Sequence, residues 1–131
     1  MPQENCIIYA NADCQIGVLK VDDDFNIISN QIIMTTANMQ IDPALIKVHD
    51  TYYLTTTEIQ GTANNADMNA ENGTYTLHLF KSTDLNKWSL VQDVVTAKNN
   101  IEDVDIMYLD EKLYITFEKE IVDKGDSSLN V

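Results

Sequence analysis

Basic residues are scarce in this sequence. Eight lysines and arginines stand against 21 aspartates and glutamates, which gives a formal net charge of −13 and an isoelectric point near 4.2. A surface with this balance repels phosphate backbones and anionic lipid headgroups. The composition therefore excludes nucleic acids and membranes as partners.

Long apolar runs and cysteine motifs are also missing. No run approaches the roughly 20 residues of a membrane-spanning helix, and the start MPQENCIIYANAD lacks the pattern of a secretory signal, so the cytoplasm is the default compartment. Cys6 and Cys14 form no C-x-x-C motif, which excludes a redox dithiol and a four-ligand zinc site. We expect both thiols to be buried, and the sequence predicts neither a metal nor a cofactor.

The helical spacing of apolar residues is hardly present. Instead, β-branched and apolar residues occur in runs of roughly five to eight, separated by Asn, Asp, Gly and Lys clusters, which is typical of an all-β protein. Ten strands are predicted: CIIYAN, QIGVLKV, NIISNQIIM, ALIKV, TYYLTTTEI, GTYTLHLFKS, WSLVQDVV, VDIMYL, KLYITFEKE and the terminal SLNV. Short, evenly spaced strands of this kind fit a sandwich, a barrel or a propeller.

An internal repeat distinguishes between these architectures. Lys20 in IGVLKV matches Lys81 in LHLFKS (81 − 20 = 61), and Tyr53 in YYLTTTE matches Tyr114 in LYITFE (114 − 53 = 61). Two unrelated pairs share one period, which is that of a long propeller blade with extended loops. The sequence thus predicts antiparallel β-propeller blades, about two per chain.

We interpret the chain, residues 1–131, as a single partial propeller domain. Residues 1–37 would form the end of one blade, 38–97 a complete blade and 98–131 the start of a further blade. Blades need neighbours on both faces to be stable. We therefore expect either a homodimer in which the part-blades complete each other or a longer chain that supplies the missing blades.

Carboxylates recur at two predicted strand entries. Asp42 precedes Pro43 before ALIKV, and Glu102, Asp103 and Asp105 crowd the entry to the strand before Lys112. In a propeller the innermost strands begin at the central funnel, so these groups would converge. A pair of carboxylates is the machinery of glycoside hydrolysis. Asp42-Pro43 is equally consistent with a plain strand start, and the acidic trio with a solvated loop.

The segments DPALIKVHDTYYL, KSTDLNKW and IEDVDIMYLDEKLYI resemble the five-bladed arabinanases and β-xylosidases of glycoside hydrolase family 43 and the related invertase and fructanase family. The match spans roughly residues 38 to 118, and its most distinctive piece is the Ser-x-Asp-Leu-x-x-Trp turn that ends at Trp88. The resemblance implies a carbohydrate ligand, with Tyr53 and Trp88 as candidate sugar-binding residues. Both aromatics also suit a packing role.

Two registers of the resemblance are open. In one, Asp42 corresponds to the general base and Asp105 to the aspartate that orients the acid, and the acid is missing. In the other, which we prefer because a part-blade precedes Asp42, this residue supports the transition state, Glu102 is the general acid and the base is missing.

Either register supplies two of three catalytic carboxylates. The sequence therefore predicts a glycosidase-like unit that is inactive as a lone chain. The alternative is a non-catalytic module that binds glycans or proteins, or assembles with itself.

Overall fold

The computed structural model describes residues 5–61, 73–98 and 100–119. Every element in these ranges is a β-strand, which confirms the all-β prediction, and none of them holds a helix long and apolar enough to cross a membrane. The strands are β1 (Asn5–Ala10), β2 (Gln15–Val21), β3 (Ile27–Thr35), β4 (Met39–Val48), β5 (Thr51–Gln60), β6 (Thr74–Ser82), β7 (Ser89–Ala97), β8 (Ile101–Leu109) and β9 (Lys112–Lys119).

Within the described residues the strands form three antiparallel sheets, each a meander of strands that follow one another in the chain. The first sheet has the order β1-β2-β3, the second β4-β5-β6-β7 and the third β8-β9. Antiparallel pairing is thus confirmed. No closed ring is formed by these residues, and the interpretation of the sheets as propeller blades stays a prediction.

The second sheet lies between the other two, and both of its faces are apolar. Toward the first sheet, Leu54 packs with Ile16, Val18 and Ile33. A second cluster, toward the third sheet, joins Ile59, Tyr75, Leu77, Ala97 and Ile101. A third cluster on that side joins Ala44, Leu79 and Ile106. Because successive side chains of a strand point to opposite faces, β5 can contribute Leu54 to one core and Ile59 to the other.

The first sheet contains one close approach between a ring and a backbone. The Tyr9 side chain lies over Gly17, so that a Cβ built on the glycine would overlap the Tyr9 ring. The Tyr9 hydroxyl donates a hydrogen bond to Asn30 Oδ1 at 2.6 Å. Tyr9 therefore bridges all three strands of the sheet, and Gly17 is what leaves room for its ring.

Two strands begin earlier than the sequence predicts. β4 starts at Met39 and β8 at Ile101, so Asp42 lies inside β4, whereas Glu102 is the second residue of β8. In both strands the pairing register shifts where the acidic residues lie, between Ile41 and Ala44 and between Glu102 and Asp105. A bulge leaves a residue outside the ladder, which is why Pro43, which has no N–H, is tolerated within a strand.

The cysteine prediction is wrong. Cys6 is exposed on β1 and Cys14 is half-buried in the turn before β2. Cys6 lies on an edge strand whose outer side chains face solvent, and Cys14 adopts a φ of 59°, so the turn sets its position more than packing does. The predicted strand SLNV and most of the predicted loop QGTANNADMNAENG lie outside the described residues.

Candidate functional site

A cavity of about 460 Å³ opens between the first, second and third sheets and brings two of the predicted carboxylates together. Asp42 reaches it from β4 and Glu102 from β8. Its remaining lining residues are Ala10, Asn11, Ala12, Met39, Gln40, Ile41 and Pro43. A volume of this size, with a lining of mixed polar and apolar residues, falls in the range of small-molecule sites.

The two bulges are copies of each other at the repeat spacing. Asp42 has a φ of 47° and Asp103 a φ of 52°, both in the left-handed region that Asp tolerates better than most residues. Asp42 Oδ2 accepts a hydrogen bond from the backbone N–H of Asp103 at 3.0 Å, across a sequence separation of 61 residues. The bulge of β4 is therefore joined directly to the bulge of β8.

The Glu102 side chain is half-buried and held by a neighbour. Asn100 Nδ2 donates a hydrogen bond to Glu102 Oε2 at 2.9 Å. Oxygens of Glu102, Asp103 and Glu118 lie within 4.8 Å of one another, and such a group offers ligands of the kind that hard cations prefer. Exposed carboxylates also gather in this way without an ion, and we assign no metal to them.

A buried polar network forms the floor beside Asp42. Gln40 is 3% exposed and accepts a hydrogen bond from the Thr56 hydroxyl at 2.8 Å through Oε1. Its Nε2 donates to Thr36 Oγ1 at 3.3 Å, and the Thr36 hydroxyl in turn donates to the carbonyl of Asn38 at 2.7 Å. Since a buried amide is costly unless it is paired, this network fixes the Gln40 side chain at the cavity.

Asp105, the third predicted catalytic residue, does not line this cavity. Its side chain is exposed, and its Oδ1 accepts a hydrogen bond from the N–H of Ile106 at 2.8 Å. The bulge in β8 separates it from Glu102. Asp42 and Glu102 therefore line one cavity, and Asp105 lies outside it.

Tyr53 and Trp88, the predicted sugar-binding residues, lie elsewhere. Tyr53 packs against the cluster of Ala44, Leu79 and Ile106. Trp88 packs on the core between the first and second sheets, and its indole N–H donates to the carbonyl of Ile33 at 2.8 Å. Trp88 also lines a separate cavity of about 350 Å³ beside β3. Both rings pack against core clusters, and neither contributes to the Asp42–Glu102 cavity.

The Ser-x-Asp-Leu-x-x-Trp turn is held by its own side chains. The Ser82 hydroxyl accepts the N–H of Leu85 at 3.0 Å. Asp84 Oδ1 accepts hydrogen bonds from the backbone N–H groups of Asn86 and Lys87, each at 2.9 Å. The hydrogen bonds to Asp84, of which the one from Lys87 contributes most, hold the pKa of its carboxyl below the ordinary value. The motif thus has a local structural role that ends by placing Trp88 on the first sheet.

One polar cluster was not expected from the sequence. On β6, His78 lies between two carboxylates, with Nδ1 2.5 Å from Asp93 Oδ1 and Nε2 3.2 Å from Glu58 Oε1. The three residues come from three neighbouring strands. Alternation along β5, β6 and β7 could have placed these side chains on one face, but their pairing requires the strand register.

No protein-family model matches this chain, no curated protein does, and neither does any solved structure. The resemblance to the five-bladed glycoside hydrolases stays a prediction from the motifs.

Proposed function

We propose that this chain is a carbohydrate-binding unit of glycoside-hydrolase-like propeller type, which binds a glycan at the Asp42–Glu102 cavity. One observation carries the proposal: two carboxylates that lie 60 residues apart (102 − 42 = 60), in different sheets, line one cavity. The proposal is also supported by the resemblance of both strands to the inner strands of those enzymes.

The residues of the cavity suit a sugar. Hydroxyl groups pair well with carboxylates and carboxamides, which Asp42, Glu102 and Asn11 provide. Met39 and Pro43 add apolar surface for the C–H faces of a sugar ring. In the enzymes that the chain resembles, Glu102 would correspond to the acid that protonates the leaving oxygen, and Asp42 to the aspartate that supports the transition state.

Hydrolysis would need a further carboxylate. Retaining and inverting glycosidases both use one acid and one base or nucleophile on opposite sides of the scissile bond. Among the described lining residues, the carboxylates are Asp42 and Glu102, and Asp42 has one oxygen committed to the Asp103 N–H. We therefore propose glycan binding without turnover by a single chain.

Calorimetric titration of the chain with trisaccharides of arabinofuranose, xylose and fructose tests the proposal. At least one should bind, and Glu102→Gln should weaken that binding by about tenfold, which corresponds to roughly 1.4 kcal/mol. Asp105→Asn is the matched control, since it removes a charge from the same strand outside the cavity, and it should leave affinity within about twofold. Absence of binding by all three sugars, or equal effects of the two variants, would contradict the proposal.

A second candidate function, self-association of a non-catalytic module, is favoured by the outer face of the third sheet. Met107 and Tyr114 are 49% and 44% exposed. Their counterparts one repeat earlier are Ile46 (107 − 61) and Tyr53 (114 − 61), which pack against the third sheet. The outer face of the third sheet thus has the apolar character of a face that a further sheet covers.

Sedimentation velocity separates this candidate from the first. Self-association should produce a concentration-dependent increase in mass that the double variant Met107→Lys, Tyr114→Lys abolishes. Thr83→Lys, an exposed turn position on the second sheet, adds positive charge away from this face and should leave the mass unchanged. A monomeric mass at all concentrations would exclude self-association.

A further inference from the structure

We propose that Asp42 is a positioning residue, whose carboxylate sets the backbone of the β8 bulge and so holds Glu102 at the cavity. This inference rests on the proposed function for its consequence, glycan binding, but its structural part can be tested without any glycan. It assigns to Asp42 a second task, in addition to any contact that its other carboxylate oxygen makes with the ligand.

A hydrogen bond joins the Asp42 side chain to the backbone of the β8 bulge. Asp42 Oδ2 accepts the N–H of Asp103, the residue that directly follows Glu102. Within a bulge the ladder is interrupted, and the pairing of β8 with β9 shifts between Glu102 and Asp105. The N–H of Asp103 is released from the ladder in this way in an exposed part of β8, and Asp42 supplies an acceptor for it from the neighbouring sheet.

The hydrogen bond from Asp103 to Asp42 restrains a strained part of the β8 backbone. Asp103 has a φ of 52°, a conformation that costs free energy for a residue other than glycine and that persists only when its surroundings hold it. If the Asp103 peptide relaxed, the Cα of Glu102 would turn with it. The carboxylate of Asp42 therefore controls where Glu102 points.

Asp42 and Asn100 restrain Glu102 through different groups. Asn100 holds the Glu102 side chain at Oε2, whereas Asp42 acts on the main chain one residue later. The two constraints reach Glu102 from different directions. Removing either should disturb Glu102, but only removal of the Asp42 carboxylate should change the Asp103 amide.

Amide hydrogen exchange on the ¹⁵N-labelled full chain tests the assignment. Asp42→Ala should accelerate exchange of the Asp103 amide by about five- to tenfold, the loss expected for one hydrogen bond. Asp42→Asn removes the charge but keeps an oxygen acceptor and tolerates positive φ, so the Asp103 amide should stay protected. Asn100→Ala should leave this amide as in the wild type.

Glycan titration of the same variants gives the functional readout. Asp42→Ala should weaken binding of whichever trisaccharide binds the wild type by about fivefold more than Asp42→Asn does. An Asp103 amide that exchanges equally in the wild type and Asp42→Ala would overturn the assignment. So would an Asp42→Asn variant that keeps the amide protected but loses as much affinity as Asp42→Ala, because Asp42 would then act on the ligand through its charge. Failure of the wild type to bind any sugar would refute the proposed function and leave the exchange test standing.

Discussion

The hydroxyl of Thr56 donates a hydrogen bond to Gln40 Oε1 at 2.8 Å, and both side chains are buried. On either side of it in β5, the hydroxyls of Thr55 and Thr57 are also buried, but they have no hydrogen-bond partner among the described residues. The Thr56 hydroxyl therefore stabilises the fold, whereas burial of the Thr55 and Thr57 hydroxyls costs free energy. The difference arises because alternate side chains of the strand point to opposite faces.

Replacing these threonines with valine should change stability in opposite directions. Thr55→Val and Thr57→Val each remove a buried unpaired hydroxyl and should raise the free energy of unfolding by about 1 kcal/mol. Thr56→Val, the matched control, leaves the Gln40 amide without its donor and should lower it by about 1–3 kcal/mol. Urea unfolding followed by circular dichroism measures all three, and a uniform sign across the series would contradict the assignment.

Gly17→Ala should displace the Tyr9 ring. The added methyl group would overlap Tyr9 Cζ, so the ring must move away and its hydroxyl must leave Asn30. We expect a loss of about 1–3 kcal/mol. Because the steric conflict needs both partners, Gly17→Ala should cost much less in a Tyr9→Ala background, and a double-mutant cycle by urea unfolding measures this coupling. Strict additivity of the two changes would argue against the contact.

Trp88→Phe tests the contact between the first and second sheets. The variant keeps an aromatic ring on the core but removes the indole N–H that donates to the Ile33 carbonyl, at a cost of about 1–2 kcal/mol. Hydrogen exchange of β3 amides should accelerate, while β8 amides should not. Tyr114→Phe removes one polar group from an exposed ring and should have no measurable effect. Equal behaviour of the two variants would show that the indole bond contributes nothing.

The stability of the chain should depend on pH through Asp84. Its carboxylate accepts the N–H groups of Lys87 and Asn86, which lower its pKa in the folded protein below the ordinary value of 3.8. A depressed folded pKa gives stability that is fully present above the unfolded value and is lost as the pH falls through the folded one. Asp84→Ala should therefore be less stable than the wild type at pH 7, and the difference should shrink between pH 4 and pH 2. Urea unfolding across this range is the measurement, and a difference that stays constant with pH would contradict it.

Much of the fold could be predicted because it follows from the alternation of apolar strand segments with polar turns along the sequence. Most strands of the first two sheets appear in the sequence as runs of β-branched and apolar residues between polar turns, and their antiparallel order follows from short connections. The early starts of β4 and β8 could not be read, because Asp42 and Pro43 look like a turn and only the strand pairing shows them to be a bulge. The sequence pattern likewise placed Asp42 near Glu102 through the repeat.

The features that could not be predicted from the sequence depend on the pairing register of the strands. The contact of His78 with Glu58 and Asp93 requires three strands to be aligned residue by residue, and a one-residue slip would put these groups on opposite faces. The separation of Asp105 from Glu102 has the same origin, since the bulge between them is a property of pairing and not of composition. The sequence allows either a ligand-binding or a packing role for Trp88 and Tyr53, and in the fold both rings pack against core clusters.

The two ends of the three-sheet stack have a consequence for how the protein behaves at high concentration. Phe25, in the connection between β2 and β3, is 73% exposed, and it has the same left-handed backbone conformation as Leu85, which packs on the core between the first and second sheets. Contacts through two different end faces are head-to-tail, so they generate a closed ring when the rotation returns to its start and an open filament when it does not. The net charge of −13 opposes either outcome. Added salt, which screens that repulsion, should therefore favour any association through these faces in concentrated samples.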